Sequence, residues 1–249
     1  MALKHEFKTQ GDFLFKNRSW LPILGILPGL YIYVVKAMNG SLPLGFDTVW
    51  YEWLCVAVAA SGFLVRFIAI GYSSDNTSGR NTSEGQIADS VNKSGFYSMC
   101  RHPLYLGNFL IWVGIAALTQ DLWFIVAFIL AYWLYYERIM YAEETFLIEK
   151  YGKEYEDYSM GVNAFWPALG KWTKPVNSYS LVKIIRQEKA GILNLFLVMW
   201  IFKQLAHYFI EGEFELQMNF FTYALAASIG WYIIIKLLQK TTKLLKEDR

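Results

Sequence analysis

The sequence predicts an all-α integral membrane protein with about six transmembrane helices. Apolar residues make up 55% of the chain and charged residues 18%, whereas a soluble chain is typically about 45–50% apolar. The mean hydropathy over the whole length is +0.25. The two cysteines, Cys55 and Cys100, are too few for a disulfide framework. These observations favour a membrane protein over a soluble or a disulfide-rich secreted domain.

Six apolar segments approach the length of about 20 residues that a helix needs to cross the bilayer. They are residues 20–35, 49–72, 104–119, 122–141, 192–210 and 220–238. Only Gln120 and Asp121 separate the third segment from the fourth, which predicts a tight antiparallel hairpin. The first and third segments are short, so four or five spans with one re-entrant segment is the alternative.

The basic residues predict how these spans are oriented. All but three of the 23 Lys and Arg residues lie in the N-terminal tail, the second and fourth connections, and the C-terminal end. With six spans, these four segments fall on one side of the membrane, and Lys and Arg concentrate on the cytosolic side. The opposite connection, EGEFELQMN, has three glutamates and no basic residue. We therefore expect both termini to face the cytosol.

The chain divides into four predicted parts. Residues 1–19 form a cytosolic tail, and residues 20–94 hold the first two spans and a cytosolic loop. Residues 95–167 form a core that carries the polar motifs. Residues 168–249 comprise a basic interfacial segment and the last two spans. Amphipathic helices are expected at the cytosolic interface between spans.

Polar residues gather at the predicted cytosolic end of the hairpin. Arg101 and His102 directly precede Pro103, which suits the first turn of the third span. The N–H groups and dipole of a helix N-terminus attract anions. Because the hairpin is antiparallel, Glu143 and Glu144 return to the same end. The pattern thus predicts an anion-binding wall facing two carboxylates that could hold an amine or ribose hydroxyls.

Further polar and small residues lie close to this cluster. Tyr105, Gly107 and Asn108 follow on the third span, and Arg66 lies within the second. Ionisable groups at membrane depth are costly and usually face a cavity or a partner. On pattern alone, Arg101 and His102 could instead anchor lipid phosphates, Arg66 could snorkel to the interface, and Gly107 could serve helix packing.

A tyrosine stripe follows the fourth span. Tyr151, Tyr155 and Tyr158 fall on one face of a helix, and they could lie at the headgroup level or line a site. No spacing of His or Cys residues predicts a metal site, and no Gly-rich phosphate loop or dinucleotide fingerprint is present. We expect no nucleic-acid partner.

Two stretches, SGFYSMCRHPLYLGN and AEETFLIEKYGKEYEDYSMGVNAFWP, together resemble the isoprenylcysteine carboxyl methyltransferase and phospholipid methyltransferase superfamily of integral membrane enzymes. That family shows a G-x-Y-x-x-x-R-H-P-x-Y-x-G motif, then a Glu-Glu pair, then a Y/F-G-x-x-Y-x-x-Y-x-x-x-V tail ending near a proline. The matching residues are Gly95, Tyr97, Arg101, His102, Pro103, Tyr105, Gly107, Glu143, Glu144, Gly152, Tyr155, Tyr158, Val162 and Pro167.

The resemblance implies S-adenosyl-L-methionine bound at the cytosolic end of the hairpin. The implied cofactor-binding residues are Tyr97, Arg101, His102, Pro103, Tyr105, Gly107, Asn108, Glu143 and Glu144. The implied catalytic residues are Arg66, Arg101 and Glu144. The methyl acceptor would be a membrane lipid or a lipidated substrate. O-methylation of a carboxylate or lipid phosphate is favoured over N-methylation of a phospholipid amine.

Two other interpretations remain open from the sequence. Membrane sterol and steroid reductases, which use NADPH, carry a similar R-H-P-x-Y-x-G motif, and Asn108 is compatible with them. Tyr155, however, stands where those enzymes commonly have tryptophan. The third interpretation is a non-catalytic membrane partner with the same fold. The last two spans are additional to the family core, so the resemblance does not extend to them.

Overall fold

The computed structural model describes residues 2–75, 77 and 88–245. These residues form eight α-helices and two short 3₁₀ turns and contain no strand, as expected for an all-α membrane protein. The α-helices are α1 Leu3–Asn17, α2 Leu21–Met38, α3 Val49–Tyr72, α4 Pro103–Ala117, α5 Leu122–Tyr151, α6 Lys153–Gly161, α7 Leu181–Glu211 and α8 Phe220–Thr241.

Five of these helices are long and apolar enough to cross a membrane, namely α2, α3, α5, α7 and α8. The third predicted span corresponds to α4, which has only 15 residues. At 1.5 Å per residue α4 is about 22 Å long, less than the roughly 30 Å of hydrocarbon. The predicted count of six spans is therefore not confirmed.

Helix α4 packs most closely on α3, through glycines on both helices. A Cβ atom on Gly107 would lie 2.8 Å from the carbonyl oxygen of Gly62, and one on Gly114 would lie 2.6 Å from that of Cys55. Small residues let two helix backbones approach in this way. Gly107 therefore serves the close packing of α4 against α3.

Helices α4 and α5 run antiparallel, as the predicted hairpin requires. The Tyr132 hydroxyl of α5 donates to the carbonyl oxygen of Tyr105 at 2.7 Å. The turn between them is held from α2, because Lys36 Nζ donates to Gln120 O at 3.0 Å and to Asp121 Oδ2 at 3.1 Å. Asp121 also caps α5 by accepting from the amide of Phe124.

The N-terminal segment, which we expected to be a tail, forms helix α1, and this helix packs along the C-terminal half of α5. Gly11 permits this contact, since a Cβ there would lie 2.7 Å from the Cβ of Ala142. Lys8 Nζ pairs with Glu149 Oε1 at 2.5 Å on the outer side. Helix α5 continues ten residues past the predicted end of the fourth span, to Tyr151.

Helix α7 joins the bundle rather than flanking it. It begins at Leu181, so the last part of the predicted basic interfacial segment and the fifth span form one helix of 31 residues. It contacts α2, α3, α4 and α8, and its Met199 and Phe202 are almost fully buried. The C-terminal part of the chain is thus packed against the helices that carry the motifs.

Candidate functional site

The segment that leads into α4 is held by main-chain hydrogen bonds to the segment that follows α6. The amides of Arg101 and His102 donate to Asn163 O at 2.8 Å and Ala164 O at 3.0 Å, and Ala168 N donates to Met99 O at 3.0 Å. Pro103 begins α4 as predicted. The amides of the two residues just before the helix are therefore already bonded within the protein.

Arg101 uses its guanidinium to join three elements. Its Nε and Nη2 atoms donate to the two carboxylate oxygens of Glu144 at 2.8 and 3.0 Å. Its Nη1 atom donates to the carbonyl oxygens of Ser159, at 2.8 Å, and Val162. This ties the start of α4 to α5 and to the end of α6, and makes Arg101 a positioning residue for Glu144.

His102 lies between the two glutamates. Its Nε2 atom is 2.8 Å from Glu144 Oε1 and its Nδ1 atom is 3.5 Å from Glu143 Oε2. The side chain is buried. Burial opposes the charged form, but the hydrogen bonds and charges of Glu143 and Glu144 outweigh it and raise the pKa of His102 to about 9. His102 is therefore a cation at neutral pH.

Tyr105 orients the other glutamate. Its hydroxyl donates to Glu143 Oε2 at 2.8 Å, and its ring stacks on His102 with an interplanar angle of 18°. On its other side the ring packs against Tyr136 at 4.9 Å between centroids. Glu143 is thus fixed by a hydroxyl donor and by the nearby imidazolium.

These side chains line one half-open cleft. Six of the predicted site residues contribute to its wall: Tyr97, Arg101, His102, Pro103, Tyr105 and Glu143. Glu144 is not part of this wall, but its carboxylate pairs with Arg101 and His102, which are. The sequence analysis missed several other contributors, among them Phe15 of α1, Phe146 of α5 and residues 90–92. Phe15 was missed because the sequence analysis treated residues 1–19 as a tail and did not predict helix α1.

The tyrosines that follow α5 belong to the same cleft. Tyr155 is 2% exposed and lines the cleft together with Tyr158. The Tyr158 hydroxyl donates to Tyr97 O at 2.7 Å, and that of Tyr151 donates to Ala88 O at 2.7 Å. Tyr155 and Tyr158 therefore fit the alternative in which the stripe lines a site better than the purely interfacial one.

Arg66 and Asn108 lie apart from the cleft wall, in a second polar cluster deeper in the bundle. Arg66 donates from Nη2 and Nε to the carboxylate of Glu188 at 2.6 and 2.9 Å, and from Nη1 to Asn108 Oδ1 at 2.6 Å. Asn108 in turn donates to the Tyr136 hydroxyl at 3.3 Å. Glu188, on α7, is 2% exposed and was not predicted, since 122 residues separate it from Arg66. The only indication in the sequence was that Glu188 is an acidic residue within the basic and apolar stretch SLVKIIRQEK.

Comparison with known proteins finds similarity to a family of membrane methyltransferases. Residues 50–154 match the model of the phospholipid methyltransferase family. The chain is 31% identical to the nickel-cobalt-cadmium resistance protein NccN of Alcaligenes xylosoxydans xylosoxydans, over 57% of this chain and 64% of that protein. It is 29% identical to the cobalt-zinc-cadmium resistance protein CzcN of Cupriavidus metallidurans, over 61% and 71% of the two chains.

A methyltransferase is among the similar proteins. The protein-S-isoprenylcysteine O-methyltransferase of Dictyostelium discoideum is 26% identical over 53% of this chain and 61% of its own length. The chain therefore spans less than two thirds of this relative and of NccN. No solved structure matches the chain. The family match and the methyltransferase relatives support the superfamily resemblance that the motifs carried.

Proposed function

We propose that this member of the membrane methyltransferase superfamily transfers a methyl group from S-adenosyl-L-methionine to an anionic oxygen of a lipid or lipid-modified acceptor. The observation that carries the proposal is the convergence of six motif residues on one aromatic-walled cleft. Within it, the His102 cation and the Glu143 carboxylate lie side by side. A site of this kind suits a small zwitterionic ligand.

The residues of the cleft fit the proposed cofactor. His102 offers a charge for a carboxylate, and Glu143 offers an acceptor for an ammonium group or ribose hydroxyls. The rings of Tyr97, Tyr105 and Tyr158 offer faces for an adenine or a sulfonium. When bound, S-adenosyl-L-methionine would supply an electrophilic methyl group.

The protonation of the site favours an oxygen acceptor over an amine. An ammonium acceptor must lose a proton before it attacks, so it needs a general base. His102 is already protonated at neutral pH because its pKa is raised to about 9. Glu144 is bonded to both Arg101 and His102. An ionised carboxylate or phosphate needs no base, and alignment and exclusion of water would then supply the acceleration.

The role proposed for each residue follows from its contacts. We assign cofactor contact to Tyr97, His102, Tyr105 and Glu143, which line the cleft. Arg101 and Glu144 position those groups through the bonds described above. Gly107 and Asn108 are not part of the cleft wall. Gly107 packs against α3, and Asn108 donates a hydrogen bond to the Tyr136 hydroxyl. We further propose, from the distribution of basic residues, that the cleft opens toward the cytosol.

Ligand binding to the detergent-purified protein tests the proposal. We expect S-adenosyl-L-methionine to bind in calorimetry and to raise the melting temperature, and we expect NADPH to do neither. Glu143→Gln should weaken this binding, whereas Glu149→Gln, which changes an exposed glutamate on the same helix, should not. Binding of NADPH alone would assign the cleft to a reductase. Binding of neither ligand would favour a non-catalytic partner.

A further inference from the structure

Residues 162–180, which join α6 to α7, carry a series of exposed apolar and aromatic side chains. We call this segment the strap, and the structure describes all of it. Its exposed fractions run from 41% for Tyr179 to 86% for Val176, and the other members of the series are Trp166, Leu169 and Trp172. Large apolar side chains exposed close together mark a surface that contacts a membrane or another molecule.

The charge of the strap is only positive. It carries Lys171 and Lys174, both exposed, and no acidic residue. Helix α6, directly before it, has exposed acidic residues at Glu154, Glu156 and Asp157. Lysines interspersed with tryptophan and tyrosine are typical of the interface between a membrane and water, where anionic lipids attract positive charge. The composition therefore favours contact with a lipid surface.

Main-chain hydrogen bonds place the strap at one end of the membrane-spanning bundle. Ser180 N donates to Gly71 O at 2.9 Å, and Gly71 belongs to the last turn of α3, a candidate membrane span. Ala168 N donates to Met99 O at 3.0 Å, four residues before the start of α4. The strap thus lies at the level where α3 ends and α4 begins.

The first part of the strap reaches further along the bundle. The Trp166 ring lies 6.2 Å from that of Phe109, between centroids. Phe109 is the seventh residue of α4, about 9 Å along the axis from its start at 1.5 Å per residue. The neighbouring Phe165 packs on Trp133 of the span α5 at 5.5 Å. Trp166 is nevertheless 59% exposed, so its indole is presented beside membrane helices without being covered by them.

We propose that the strap inserts Trp166, Leu169 and Val176 among the lipid headgroups at this end of the bundle, with Lys174 at the phosphates of anionic lipids. A lipid surface is the occupant that fits, because the strap adjoins membrane-spanning helices at the level where they end. Its lack of acidic residues also avoids repulsion of lipid phosphates. The inference goes beyond the proposed function and does not depend on it.

The strap connects this lipid contact to the cleft. Gly95 N donates to Thr173 O at 3.1 Å, and Thr173 N donates to Ser98 Oγ at 2.9 Å. Together with the bond from Arg101 N described above, these contacts hold both ends of residues 95–101, part of which lines the cleft. The cleft wall is therefore fixed to the segment that lies at the lipid surface.

Spin labels on the strap test the inference. Leu169→Cys and Val176→Cys are labelled with a nitroxide in the full-length protein, whose own two cysteines are buried, so that the unsubstituted protein serves as the blank. Collision of each label with oxygen and with a water-soluble nickel chelate is measured in nanodiscs of phosphatidylcholine and phosphatidylglycerol. We expect both labels to favour oxygen and to lie about 5–10 Å below the headgroup boundary, the depth of interfacial segments.

Two positions on α5 calibrate the measurement. Glu149→Cys, at a side chain 60% exposed beyond the apolar part of the helix, should favour the nickel chelate. Leu134→Cys, 57% exposed within the candidate span, should favour oxygen most. Lys174→Gln should shift the strap labels toward the value of the Glu149→Cys label. Lys4→Gln, which removes an exposed lysine from α1, should leave them unchanged.

Three results would contradict the proposal. Strap labels as accessible to nickel as the Glu149→Cys label would show that the strap faces water. Labels shielded from both oxygen and nickel would show that protein, from a second copy or a partner, covers the strap instead of lipid. Strap labels that keep their depth in Lys174→Gln would remove this lysine from the lipid contact.

Discussion

Arg101 and Glu144, 43 residues apart in the chain, meet in a two-point ion pair with distances of 2.8 and 3.0 Å. The pair joins the residue before His102 to a carboxylate near the end of α5. The remaining donors of Arg101 go to main-chain oxygens near the end of α6. The cleft therefore keeps its shape through one guanidinium that three helical elements share.

Glu144→Gln should destabilise the protein and weaken binding of S-adenosyl-L-methionine. The side chains of Arg101 and Glu144 are 15% and 21% exposed, and removing one partner of a buried pair costs about 3–5 kcal/mol. Thermal denaturation in detergent and calorimetric titration measure both effects. Glu149→Gln, whose side chain is 60% exposed, is the control and should change stability by less than about 0.5 kcal/mol. Equal effects of the two variants would contradict the assignment.

His102 should make the protein less stable as the solution becomes alkaline. Folding raises its pKa from 6.5 to about 9, so the folded state favours the protonated form. This contribution to the free energy of unfolding is fully present below pH 6.5 and is lost as the pH rises through about 9. Melting temperatures across this interval should fall for the native protein. The fall should persist in His5→Gln, an exposed control, and diminish in His102→Gln; an identical slope in both variants would refute the role of His102.

Tyr158→Phe should weaken cofactor binding about fivefold, because one hydrogen bond contributes about 1 kcal/mol. The lost bond is the one from the Tyr158 hydroxyl to Tyr97 O, which positions the cleft wall. Calorimetric titration with S-adenosyl-L-methionine measures the change. Tyr31→Phe, at a position 71% exposed on α2, should bind as the native protein does. Unchanged affinity in Tyr158→Phe would return this residue to an interfacial role.

Glu188→Gln should unfold at lower temperature, since it leaves Arg66 charged and buried without its carboxylate partner. The expected loss is about 3–5 kcal/mol. Replacing both partners with leucine should recover most of that loss, because the pair no longer has to be desolvated. Glu213→Gln, an exposed change beyond α7, should have little effect. A double variant as unstable as the single one would show that the pair itself is not responsible.

Gly107→Ala should destabilise the α3–α4 contact by about 1–3 kcal/mol, as overpacking commonly does. The added Cβ would lie 2.4 Å from Arg66 Cγ and 2.8 Å from Gly62 O, and the second atom belongs to the main chain. Gly230→Ala is the matched control, because a Cβ there has no neighbour within 4 Å. Denaturation of the two variants side by side checks the prediction, and a stable Gly107→Ala protein would contradict it.

Local patterns were sufficient for much of the fold. The predicted span 49–72 coincides with α3, and the start at residue 220 coincides with that of α8. Length and hydropathy suffice there because a membrane helix satisfies its own main-chain hydrogen bonds. The start of α7 was missed because its first turns are basic. Lys183 is accommodated there by donating to Ser73 O and Ser74 O, which are partners more than 100 residues away.

The sequence by itself determined the membrane class and the motif residues from Tyr97 to Tyr105 and at Glu143 and Glu144 that carry the superfamily resemblance. These are encoded locally, by apolar length, by Pro103 at the start of a helix, and by short fixed spacings. Only the tertiary structure decided which charges meet, namely Arg101 with Glu144 and Arg66 with Glu188. The reason is that a buried charge must be paired, and its partner is selected by how distant helices pack.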